Sequence, residues 1–202
     1  HAAASRIHFD AFRDDWASVI ASAPEAIALA KAAGDLGMEA LVRSMRAQSL
    51  MLVGDLAEAR AEAGTLLELA SSHGYKVREL DAQHTLGRIL MHEGCYGRAR
   101  AHLEAASELA RSLLHEYYVP VTLNNLGELG LRTGNFARAL HDYQAALASC
   151  RAHTSVRDVS TAWIGVARTQ LALGDDEEAL ASIEQALLRI PDHDSDQWRS
   201  RL

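Results

Sequence analysis

Small and apolar residues recur along this chain in columns that repeat at a constant interval. Glycines stand at positions 54, 94, 134 and 174. A small residue lies seven positions before each glycine and an alanine lies five positions after it; these are Ala47, Gly87, Gly127 and Ala167, then Ala59, Ala99, Ala139 and Ala179. Several columns that keep one register across four copies indicate an internal repeat.

Each repeat has the pattern of two helices joined by a glycine turn. The glycines are expected to be left-handed and to close the last carbonyls of a helix. Asp55, Asn135 and Asp175 follow as candidate N-caps, and Asp55 with Glu58 and Asp175 with Glu178 resemble capping boxes. The small columns are expected where the two helices approach closely. First helices are predicted over 37–53, 77–93, 117–133 and 157–173, and second helices over 55–73, 95–113, 135–152 and 175–190.

Three of the repeats resemble the tetratricopeptide (TPR) family. The matching residues are Gln83, Leu86, Gly87, Leu90, Ala99 and Leu103; Leu123, Leu126, Gly127, Ala139 and Tyr143; and Trp163, Val166, Ala179, Ile183 and Pro191. The first full copy is weaker, because Arg43 and Arg46 occupy columns in which the family prefers apolar residues. The resemblance covers roughly residues 14–191 and implies an all-α, right-handed α-solenoid of antiparallel helical hairpins.

The repeat spacing divides the chain as one domain overall. Repeats 1 to 4 are predicted over 37–76, 77–116, 117–156 and 157–191, after a tag scar and a degenerate half-repeat in 1–36. Pro24 is expected to kink the first helix or to restart it after Ser22. Residues 192–202 are expected to begin a truncated following helix. These ends predict a fragment whose apolar end faces could drive self-association.

The repeat period, about 40 residues, exceeds the period of about 34 that is usual in the family. Lengthened repeats resemble those of MalT-like and related ATP-dependent bacterial transcription regulators, and also those of bacterial peptide-pheromone receptors. The resemblance implies a non-catalytic protein- or peptide-binding segment, the sensor or scaffold of a larger regulator. A self-contained peptide receptor or adaptor, or the accessory domain of an enzyme, is the alternative.

Composition supports a helical protein and excludes several classes of function. Ala, Leu, Glu and Arg are abundant, and all four are strong helix formers. The net charge of −7 argues against a nucleic-acid surface. No apolar run approaches the roughly 20 residues that cross a bilayer, and no signal peptide is recognisable. Cys95 and Cys150 have neither metal-ligand nor redox spacing, which favours a reducing cytoplasm.

The sequence contains no constellation typical of a metal or catalytic site. It has no His-Glu-x-x-His motif, and His84, His92 and His102 lack zinc-site spacing. The acidic cluster Asp192, His193, Asp194 and Asp196 is a weak cation candidate that is better interpreted as a solvated linker. No set of nucleophile, base and orienting group stands out. We therefore predict no metal, no cofactor and no enzymatic activity.

The inner face of the first helices is the candidate partner-binding groove. With residues at 100° intervals and Leu86 in the core, one side of its helix points away from the core. The predicted groove residues are Met45, Gln48, Asp81, His84, Arg88, His92, Asn124, Asn125, Glu128, Arg132 and Arg168. The groove is expected to grade from apolar near Met45 to hydrogen-bonding near Asn125.

One groove column, Gln48, Arg88, Glu128 and Arg168, has two interpretations. The arginines could present fork-like donors to a ligand carboxylate while Asn125 binds an extended backbone. Alternatively, Glu128 neutralises the arginines across repeats, helped by a pair with Arg132 on its own helix. The sequence leaves both open.

Overall fold

The computed structural model describes residues 15–151 and 154–188, together with residues 7 and 13, and all regular elements within them are α-helices. The helices in chain order are α1 (Trp16–Ala32), α2 (Leu36–Val53), α3 (Leu56–His73), α4 (Lys76–His92), α5 (Tyr96–Ser112), α6 (Tyr118–Arg132), α7 (Phe136–Ser149), α8 (Val156–Leu173) and α9 (Asp176–Leu187). The chain divides into two compact units, which we call unit 1 (His1–Leu109) and unit 2 (Ala110–Leu202).

The predicted alternation of first and second helices is confirmed. Helices α2, α4, α6 and α8 each begin and end within one residue of a predicted first helix, and α3, α5, α7 and α9 lie within three residues of the predicted second helices. Each second helix follows a short turn and packs against its first helix, as in an antiparallel hairpin.

Helix α1 corresponds to the second helix of a repeat; it precedes the first full hairpin and packs against α2. It is continuous from Trp16 to Ala32 although it contains Pro24, so the predicted restart after Ser22 is wrong. Pro24 lies on the exposed side of α1, where solvent can bond to the carbonyl that the missing proline N–H leaves without a donor.

Residues with a left-handed backbone follow the helices in two columns of the repeat, one of which is the predicted glycine column. Gly54 and Gly174, at φ of 92° and 86°, end first helices as predicted. A second column, offset by half a repeat, contains Gly34 and Gly74, which end α1 and α3 with φ of 68° and 71°. Leu114 occupies this column after α5 with φ of 50° and 84% of its surface exposed. A residue other than glycine is strained in this region, because its Cβ crowds the backbone.

The helix starts follow the predicted capping pattern in two of three cases. The side chains of Asp55 and Asn135 accept hydrogen bonds of 3.2 Å from the backbone N–H of Glu58 and Arg138. Both N-caps are therefore confirmed. Asp175 precedes α9 without a side-chain cap hydrogen bond, so the capping box predicted there is wrong.

The mid-helix small residues mark close approaches, as predicted. A Cβ added at Gly87 would lie 2.6 Å from Leu103, and one at Gly127 would lie 2.8 Å from the Tyr143 ring. A Cβ added at Gly165 would lie 2.3 Å from the same ring. The buried Tyr143 side chain of α7 is thus enclosed by backbone of both α6 and α8.

An ion-pair cluster stands where repeat 1 departs from the family pattern. The Nε of Arg43 donates to Glu39 at 2.9 Å, and Arg43 also pairs with Glu62. Arg46 pairs with Glu62 and with Glu58. The side chains of Arg43 and Glu62 are only 10% and 7% exposed. We call this group the Glu62 cluster; it gives carboxylate partners to both arginines that depart from the family pattern.

Candidate functional site

In unit 1, the first helices α2 and α4, which carry the predicted groove residues, contact each other side by side. The Oγ of Ser44 donates to the Oδ2 of Asp81 at 3.2 Å, and the Nε2 of Gln48 donates to the Oγ of Ser44 at 3.2 Å. Asp81 also pairs with Arg78 on its own helix. These polar groups join the first helices of consecutive repeats to each other.

Two predicted groove residues of unit 1 do not face solvent. Asp81 is 3% exposed and His84 is 7% exposed, which corrects the expectation that both point away from the core. The physical reason is that a first helix here has neighbours on two sides, because α4 packs against α2 as well as in its own hairpin. Burial lowers the pKa of His84 to about 3, helped by the charge of Arg88, so the imidazole is neutral near pH 7.

The remaining predicted residues of unit 1 are accessible. Met45, Gln48 and Arg88 are half-buried and His92 is exposed. Leu52, one turn beyond Gln48 on α2, exposes half of its surface. The accessible side of α2 therefore combines an amide with apolar side chains.

In unit 2, three side chains donate hydrogen bonds to Glu128. Its Oε1 accepts from the Nε of Arg132 at 2.8 Å and its Oε2 accepts from Arg168 at 2.9 Å. The hydroxyl of Tyr143 donates to the same Oε2 at 3.3 Å. We call Glu128, Arg132 and Arg168 the Glu128 cluster. The pairs of Glu128 with Arg132 and with Arg168 are those that the self-neutralising interpretation requires.

The electrostatics of the cluster keep Glu128 ionised. Burial acts to raise the pKa of Glu128, but hydrogen bonds and charge from Arg132 and Arg168 outweigh it and hold the pKa below its usual range. Burial and the carboxylate of Glu128 together raise the pKa of the Tyr143 hydroxyl. The cluster therefore carries two positive charges and one negative charge.

The two asparagines of unit 2 have different surroundings. Asn124 is buried, which corrects the expectation that it faces the groove, because its Nδ2 donates to the backbone oxygen of Asp158 at 3.0 Å and connects α6 to α8. Asn125 is half-buried, and its Nδ2 donates to the carbonyl of Val121 in its own helix at 2.8 Å. The predicted backbone-binding role of Asn125 must therefore compete with this bond.

Two pockets lie at the starts of first helices, where the sequence analysis placed no site. One pocket of unit 2, about 410 Å³ in volume, is lined by Leu114, His115, Glu116, Tyr117, Thr154 and Ser155. A pocket of about 310 Å³ in unit 1 is lined by Gly37, Tyr75, Lys76, Val77 and Arg78. A signal was present in the sequence, since Val77 and Tyr117 are exposed apolar residues one repeat apart.

Metal ligation and membrane insertion find no support in the part of the chain that the structure describes. Within it, no three His, Cys, Asp or Glu side chains come together as a metal site would require. Within the same residues, no helix has the length and apolar character to span a bilayer. The acidic cluster at Asp192, His193, Asp194 and Asp196 and the following helix predicted over 192–202 lie outside the described residues.

Helical hairpins that repeat in one register define an α-helical repeat protein, and the comparisons name its family. The tetratricopeptide repeat model matches residues 78–152 and 118–189, which together span more than half of the chain. The chain belongs to the tetratricopeptide repeat family. Repeats of this family generally mediate protein–protein interaction and are typically non-catalytic scaffolds. No curated protein has a matching sequence.

Solved structures with low sequence identity share the fold. BtubC (BKLC) from P. vanneervenii is 20% identical with a TM-score of 0.78, over 91% of this chain and 76% of that one. A putative kinesin light chain with TPR-like repeats from Podosopora anserina is 16% identical with a TM-score of 0.72, over 98% and 95%. MamA protein is 13% identical with a TM-score of 0.58, over 90% and 96%. The predicted fold class, an all-α repeat solenoid, is confirmed.

Proposed function

We propose that this chain is a non-catalytic recognition segment in which the inner faces of the first helices bind an extended segment of a partner protein. The family supports protein binding in general. The observation that carries the finer proposal is the Glu128 cluster, because it presents two accessible arginines in fixed positions. The side chains of Arg132 and Arg168 are 36% and 55% exposed.

The cluster has donors left for a ligand after its internal bonds are made. A guanidinium carries five N–H donors, and Arg168 contacts Glu128 through one terminal nitrogen while Arg132 does so through Nε. A partner carboxylate can thus be bound without breaking either pair. Glu128 holds both side chains in place, which reduces the entropy that binding would otherwise cost.

The neighbouring side chains define the rest of the partner segment. Ile164 and Leu171 lie one turn before and one turn after Arg168 on α8, half-buried and exposed respectively. A segment with an acidic residue between apolar ones therefore complements this face. In unit 1, Arg88 is the cation at the corresponding column, and Met45 and Leu52 offer apolar contact.

The test uses synthetic peptides in which one Glu is flanked by leucines, beside a panel with Gln in its place. Fluorescence anisotropy is expected to show tighter binding of the Glu peptides. Arg168→Ala should weaken binding about tenfold, as the loss of one charge-assisted hydrogen bond implies. Arg88→Ala tests the corresponding cation of unit 1. Arg60→Ala, at an exposed pair with Glu93, is the matched control.

Glu128→Gln separates the proposal from its alternative, in which the cluster only neutralises itself. If the arginines bind a carboxylate, removing the competing charge of Glu128 should strengthen peptide binding. If the cluster is only structural, the substitution should lower the melting temperature and leave binding unchanged. Equal binding of Glu and Gln peptides, or full-strength binding by Arg168→Ala, would refute the proposal.

The length of the repeat suggests what kind of larger protein contains this segment. Repeats of this length resemble those of cytoplasmic bacterial transcription regulators, in which this segment would be sensor or scaffold. Cys95 and Cys150 are thiols and not a disulfide, which is consistent with that compartment. A phosphate-binding Walker A loop or a helix-turn-helix in the same polypeptide would support the regulator. Their absence would favour a peptide receptor, an adaptor or an enzyme's accessory domain.

A further inference from the structure

Helix α9 carries an apolar stripe, Leu180, Ile183 and Leu187, which we call the α9 stripe. These residues are three and four positions apart and therefore share one side of the helix. Leu180 is 60% exposed and Leu187 is 39% exposed, while Ile183 is half-buried. Large apolar side chains aligned in this way are typical of a surface that another element covers.

The preceding repeat shows what kind of element covers such a stripe. One repeat earlier, Leu140, Tyr143 and Leu147 occupy the same positions on α7. There Tyr143 is buried, and Leu140 and Leu147 pack into clusters that contain Val166 and Ala162 of α8. A helix with small and apolar residues therefore fits this position of the repeat, and the α9 stripe continues an interface that the chain has already built.

Charge specifies the flanks of the helix that would fit the α9 stripe. Glu177 and Glu184 lie three positions before and four positions after Leu180, on the same side of α9, and both are exposed. Asp176 and Glu178 add further negative charge in the first turn, and α9 contains no Lys or Arg. A second α9 packed on this stripe would bring like charges together, whereas a helix with basic flanks would complement them.

We propose that the α9 stripe is a docking surface for an amphipathic helix of a partner protein, with small or apolar residues on its contact side and Lys or Arg beside them. This surface is separate from the Glu128 cluster and does not depend on the peptide binding proposed there. Ile183 stands where α7 has Tyr143, and its smaller volume leaves room for alanine or valine where α8 requires Gly165.

The probe is a fluorescein-labelled peptide with the sequence of α8, Val156–Leu173, whose contact side covers the equivalent stripe and which carries Arg157 and Arg168. Anisotropy with the full chain is expected to show binding that weakens about tenfold or more in Leu180→Glu, as for a central apolar contact. The double variant E177K/E184K should weaken it too. Leu29→Glu, at a comparably exposed leucine of α1, should bind as the unsubstituted chain does.

Each alternative occupant has its own readout. Equal binding by Leu180→Glu, or no binding of the peptide at all, would overturn the proposal. A concentration-dependent dimer in sedimentation velocity that Leu180→Glu abolishes would show that a second copy covers the stripe. A fall of several degrees in the melting temperature of Leu180→Glu would show that the chain itself covers it. Either result would overturn a partner helix, whereas a monomer with unchanged melting temperature and Leu180-dependent binding would support it.

Discussion

Removing Glu62 should destabilise unit 1 far more than removing its neighbour Glu58. Glu62 accepts from both Arg43 and Arg46, and its side chain is 7% exposed. Deleting one partner of a buried ion pair costs about 3–5 kcal/mol. Because Glu39 still pairs with Arg43 and Glu58 still pairs with Arg46, we expect Glu62→Ala to cost about 3 kcal/mol, the lower end of that range.

Urea denaturation followed by circular dichroism measures this free energy of unfolding. The matched control is Glu58→Ala, which removes a carboxylate that is 47% exposed from the same Arg46 and should cost less than about 1 kcal/mol. A quadruple variant with leucine at positions 39, 43, 46 and 62 replaces every buried charge of the cluster and should recover most of the loss, since apolar residues of similar volume often replace buried ion pairs without cost. Equal effects of Glu62→Ala and Glu58→Ala would show that the cluster is solvated and would refute the reasoning.

The packing, the turns and the titration of single residues give three further predictions. Gly165→Ala should destabilise the folded chain by about 1–3 kcal/mol, because the added Cβ would overlap Tyr143. Gly97→Ala in α5 should stabilise it by about 0.5–1 kcal/mol, because Gly97 faces open space. Thermal melts of the two variants check this. Leu114→Gly should raise the free energy of unfolding by about 1 kcal/mol, because it removes the strain of a leucine with a left-handed backbone. Urea denaturation measures the change. His84 has a folded pKa of about 3 against 6.5 when unfolded, so the unfolded chain binds the extra proton and stability should fall as pH drops below 6.5. His84→Gln should show a shallower decline between pH 6.5 and 5; an unchanged slope would contradict the assignment.

The sequence predicted the helices and the close approaches because both depend on small residues at fixed spacing. Gly87 and Gly127 identify contact points, since a Cβ at either position would lie less than 3 Å from Leu103 or Tyr143. The Glu62 cluster could not be predicted in the same way. Its carboxylates come from three separate turns of two helices. Comparing the same position across the repeats shows only that Arg43 is not apolar, and does not show which residues pair with it.

The candidate site was predicted less well because a helical wheel assumes one buried side. Asp81 lies opposite Leu86 on the wheel, yet Ser44 of the neighbouring first helix meets it. The pairs of Glu128 were predictable, because Arg132 lies one helical turn away and Arg168 lies one full repeat away. Which of the remaining arginine donors a ligand uses depends on three-dimensional access, which spacing does not encode.

The position of Tyr143 has a consequence for how unit 2 unfolds. Its ring is enclosed by Gly127 of α6 and Gly165 of α8, and its hydroxyl reaches Glu128. In a one-dimensional array, stability is the sum of intrinsic terms for each repeat and coupling terms between neighbours. One side chain here supplies coupling on both sides, so α6, α7 and α8 form a single cooperative block. Fraying that begins at α9 should stop at this block, and the core amides of the three helices should exchange their hydrogens together.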